Sequence, residues 1–124
     1  EINLAEHVRR FLLSASGNHA GLLRAAFKSR ALVQNLPHQF DYSKALHALS
    51  REIQVKAEVQ VIWDSLDLEE REALKVILNN HSLPVSLQGV ISELIAKGLI
   101  TIHQETRALQ ISPPIFAYSI KELA

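Results

Sequence analysis

Apolar residues recur along this chain at helical spacing in six stretches, followed by two short runs of strict alternation. Leu4, Val8, Phe11 and Leu12 lie at i, i+4, i+7 and i+8, which predicts a first helix capped by Asn3 and ended by Gly17, with Arg9 and Arg10 outside. His19 to about Val33 reads as a second helix with Leu23 and Phe27 on one face, Leu22 and Ala26 alongside, and a basic edge of Arg24, Lys28 and Arg30. Leu36-Pro37 breaks the pattern, and Asp41 then caps a short helix over Tyr42–Leu49.

Val55, Val59, Ile62 and Leu66 form one stripe of a helix over Glu52–Leu66, with a bend or restart expected near Lys56. Asp67 caps the next helix, and Glu70 three residues on completes a capping box. Leu74, Ile77 and Leu78 make its apolar face, while Glu69, Arg71, Glu72 and Lys75 are expected to stay wet. Past Pro84, the residues Leu87, Val90, Ile91, Leu94 and Ile95 predict one continuous helix from about Ser86 to Lys97, closed by Gly98. Ile100/Ile102 and Leu109/Ile111 alternate as the strands of a hairpin over Leu99–His103 and Ala108–Ser112. Its loop, Gln104 to Arg107, has no Gly to set the turn type, and the segment after Pro113-Pro114 is open between helix and extended chain. This order predicts a mainly α fold: a helical subdomain over residues 1–56, then a winged helix-turn-helix with a small β-hairpin over 57–124.

With 124 residues, 48% of them apolar, the chain can bury a real core, and no apolar run reaches the ~20 residues a bilayer requires. It is expected to be soluble and cytoplasmic. The absence of Cys removes disulfides and thiolate metal sites. The six His show no i, i+4 pair, which argues against zinc. Neither a phosphate-cradling Gly-Lys-Ser/Thr loop nor a Gly-x-Ser-x-Gly elbow occurs, so the chain is not expected to be an enzyme by itself. It opens Glu1-Ile2-Asn3 and contains no Met, which predicts a piece of a longer protein.

Zero net charge hides an asymmetry. Residues 1–56 hold eight Lys/Arg against four acids, a net +4; residues 57–124 hold five against nine, a net −4. A duplex-reading helix needs exposed donors beside basic phosphate grips. The predicted helix from Ser86 offers Gln88 and Lys97, opposed by Glu93, and the wing offers Arg107 beside Glu105. A transcription regulator touching DNA through Gln88, Lys97 and Arg107 is therefore the alternative reading; an interaction or oligomerisation module is another. Glu69, Glu70 and Glu72 read as a solvated first turn favoured by the helix dipole, and Trp63 as a core anchor.

The turn Ser16-Gly17-Asn18-His19-Ala20-Gly21 opens a helix, a place where free N–H groups and the dipole favour an anion. Residues 16–24 resemble the Gly-Gly-His-Pro-Gly-Leu-Leu-Arg signature that opens the last lid helix in signal-transduction ATPases of the AAA+ superfamily. The run from Trp63 to Leu74, Leu94 to Ile100 and Pro114 to Tyr118 is similar to the winged helix that follows that lid. The resemblance implies that Gly17, His19, Gly21 and Arg24 lie near ATP or ADP bound in the parent protein. It further implies a regulatory role for this region, in autoinhibition or in docking a protein partner. Asn18 stands where the second Gly of the signature is usual and Ala20 where its Pro is, departures that predict a weakened or purely structural site.

Overall fold

In the computed structural model, which describes residues 4–17 and 19–123, helices dominate and a single two-stranded sheet lies near the C-terminus. The helices are α1 (Glu6–Ser16), α2 (Ala20–Lys28), α3 (Tyr42–Ser50), α4 (Ile53–Ser65) and α5 (Leu68–Leu78). Two short ones, α6 (Val85–Gln88) and α7 (Ile91–Ala96), precede β1 (Ile100–Ile102) and β2 (Leu109–Ile111), and α8 (Pro114–Ser119) follows them. The strands pair antiparallel with Thr101 opposite Gln110. Among the described residues no helix is long and apolar enough to cross a membrane.

Local chemistry accounts for most boundaries. Asp41 accepts from Lys44 N–H to start α3. Asp67 Oδ1 accepts from Glu70 N–H (2.8 Å) and Glu70 Oε1 accepts from Asp67 N–H (3.0 Å), closing the capping box of α5. Asn3 lies outside the described residues; Ala5 occupies the position before α1 and supplies no side-chain cap. Helix α4 runs unbroken past Lys56, and so carries the chain across the 56/57 boundary.

Several expectations need correction. The second helix stops at Lys28, because Ser29 Oγ donates to Ala25 O (3.0 Å) and an Arg30 guanidinium N–H donates to Phe27 O (2.6 Å). Those bonds satisfy the last carbonyls, and Arg30–Leu32 continues only as a 3-10 turn. The face that α2 buries is Gly21, Leu22, Ala25 and Ala26, with Leu23 and Phe27 half-buried. The predicted single helix over Ser86–Lys97 is two pieces joined at Gly89-Val90, and Ile95 lies exposed. Arg71 is half-buried: its Nε donates to Trp63 O (3.0 Å), and its guanidinium lies 5.8 Å from the Trp63 ring centre. The hairpin turn is made by Arg107 at φ 60°, an uncommon backbone for a non-glycine residue.

The closing segment resolves as helix, and α8 packs against α1, α3 and α4 as well as β2. Its Ile115 and Phe116 are fully buried with Leu12, Leu22, Leu49, Leu74 and Leu94 in one continuous apolar cluster. Trp63 is inside that cluster, as an anchor should be.

Candidate functional site

The turn between α1 and α2 is shaped by two residues. Gly17 sits at φ 57°, ψ −141°, backbone that side-chain-bearing residues avoid, and its N–H donates to Leu13 O. A Cβ placed there would lie 2.9 Å from Pro113 Cβ, so the position excludes a side chain twice over. His19 is extended and caps α2: its Nδ1 accepts from Leu22 N–H at 3.2 Å. With Nδ1 accepting, the neutral imidazole carries its proton on Nε2. No acid lies in the first turn of α2 to occupy its positive end.

Gly17 and His19 form one wall of a cleft of about 550 Å³. Its other walls come from the second half: Ala96, Lys97 and Gly98 at the end of α7, Thr101 on β1, and Ser112, Pro113 and Pro114 at the start of α8. Ser112 Oγ donates to Gly98 O (2.9 Å), tying two of those walls together.

The four residues named from the turn do not converge. Gly21 faces α4, where a Cβ would come within 2.6 Å of Cδ at the end of the Glu58 side chain. Arg24 is exposed along a separate groove of about 150 Å³ between α2 and α4, which it shares with Gly21, Lys28, Gln54, Ala57, Glu58 and Val61. Only Gly17 and His19 reach the cleft. Asn18 lies outside the described residues.

Of the residues named for DNA, Gln88 and Arg107 are exposed, while Lys97 Nζ is bonded to Glu70 Oε2 at 2.7 Å. Glu70 corrects the expectation of a solvated acidic turn. Its side chain is only 3% exposed, with one oxygen on the Asp67 N–H and the other on Lys97. Carboxylate oxygens of Asp67, Glu70 and Glu93 lie within 4.8 Å of one another; the cap and Lys97 engage those of Asp67 and Glu70. The Glu70–Lys97 pair spans 27 residues, and no local pattern announces it. No protein-family model, curated protein or solved structure matches the chain.

Proposed function

We propose that this chain is the regulatory C-terminal part of a larger ATP-binding protein, with a nucleotide-sensing lid in residues 1–56 and a winged helix in 57–124. The observation that carries the reading is the shared cleft: the turn at Gly17 and His19 opens onto Lys97, Gly98 and Ser112. The groups this cleft offers a nucleotide phosphate are the His19 ring, the start of α2 and Lys97. Drawing Lys97 toward phosphate withdraws it from Glu70, whose buried carboxylate then lacks one partner. Occupancy of the lid is thereby coupled to the footing of α5, and the winged helix passes the change on, holding the ATPase closed or releasing a surface for a protein partner.

The test is a titration of the isotope-labelled chain with ADP and ATP, followed by amide NMR. Shifts are expected at Gly17, His19, Gly98 and Ser112, and, through the Lys97 contact, at Asp67 and Glu70 at the start of α5. His19→Asn retains a capping side chain while removing the Nε2 donor, and is expected to abolish them. Arg24→Ala, which faces the α2–α4 groove, is expected to leave them unchanged. No shift at millimolar nucleotide would defeat the reading, as would tight, salt-sensitive binding of random duplex DNA by the same chain.

A further inference from the structure

Helix α4 is apolar on two opposite faces. Val55, Val59, Ile62 and Trp63 point into the core. On the far side Ile53, Ala57 and Val61 recur at i, i+4 and i+8, drifting only ~40° per step. Ile53 is 82% and Val61 61% exposed. A helix apolar on both sides is ordinarily covered on both sides.

The stripe has a symmetry that selects its cover. Ala57, the smallest member, is central, with a β-branched aliphatic residue one turn to each side and the amides of Gln54 and Gln60 three residues to each side. Two copies of α4 packed antiparallel about Ala57 set Ile53 against Val61 and Gln54 against Gln60, in both directions at once. This is the self-complementarity a two-fold interface requires. Charge agrees with it. Lys28 and Arg24 line the groove with Gln54 and Glu58, and neither has an ion-pair partner among the described residues. Antiparallel packing sets the other copy's Asp64, which accepts from its own Gln60 (2.8 Å), one turn before Gln54 and on the Lys28 side of the groove.

We propose that this face of α4 is a homodimer interface, with a second copy of the chain seated on Ile53, Ala57 and Val61. It lines a different groove from the Gly17–His19 cleft and does not depend on the nucleotide reading. A contact of three helical turns falls short of the ~800 Å² per partner of standard interfaces, so the dimer is a weak, reversible one.

Sedimentation equilibrium of the full chain from about 10 to 500 µM tests it, and a reversible monomer–dimer equilibrium is expected. Val61→Asp and Ile53→Asp, each checked for folding by Trp63 fluorescence, are expected to weaken association at least about tenfold, because each buries an unpaired charge in the contact. Val85→Asp, at an equally exposed position on α6, is expected to leave it intact. A wild-type chain that stays monomeric overturns the proposal, as does any stoichiometry other than two. So does a dimer that survives both stripe variants.

Discussion

Gly17 carries two constraints at once, a backbone region closed to other residues and contact with Pro113. Gly17→Ala is therefore expected to cost about 2–4 kcal/mol, read from the urea midpoint, since strain and overlap add. As a helix-ending glycine it was readable from the sequence; its contact with a proline 96 positions away was not. Glu70 shows the same division. Spacing from Asp67 foretold its capping role, but burial depends on α7 bringing Lys97 over it. Lys97→Met should cost about 1 kcal/mol, modest because the lysine side chain is 43% exposed and water can partly replace it. Adding Glu70→Gln to that variant is expected to recover part of the loss. The amide oxygen still accepts from Asp67 N–H, and no buried charge is then left unpaired. A double-mutant cycle in urea measures the coupling.

Among the elements, helices with strong caps were the readable ones: α3 and α5 begin where Asp41 and Asp67 place them. The joint between α6 and α7 was missed because an apolar stripe reports which face is buried, not whether the backbone is continuous. Gly89 there has φ −66°, ψ −22°, ordinary right-handed helical backbone, and no atom lies within 4 Å of where its Cβ would be. Nothing in the fold demands glycine at this point. Gly89→Ala should accordingly stabilise the chain by about 0.5–1 kcal/mol, seen as a higher melting temperature and slightly stronger helical circular dichroism. Gly21, also helical, differs. A Cβ there meets only the end of the flexible Glu58 side chain, which must swing aside, so the gain from alanine is expected to be smaller than at Gly89.

For the whole molecule, the question is how the basic first half and the acidic second half are joined. Periodicity could assign helices to each half, but it carries no information on which helix of one meets which of the other. The structure answers through α8, which follows the hairpin yet packs on α1, α3 and α4. Phe116 is its most buried large side chain, in a core cluster that runs without interruption from Val8 to Ile120. Helix α4 reinforces the connection, because it crosses residues 56 and 57 without a break. Halves joined by shared core and a shared helix should not melt separately. Far-UV circular dichroism follows all the helices, whereas Trp63 fluorescence follows the middle of the core, so the two probes are expected to give one coincident urea transition. Phe116→Ala should cost about 3–5 kcal/mol of stability and lower the midpoint of both together. If the fluorescence midpoint moved while a large share of the helical signal stayed in place, α8 would be serving the hairpin side alone. The first half would then have a core of its own, and the cleft at Gly17 could not relay a change to α5 through Lys97.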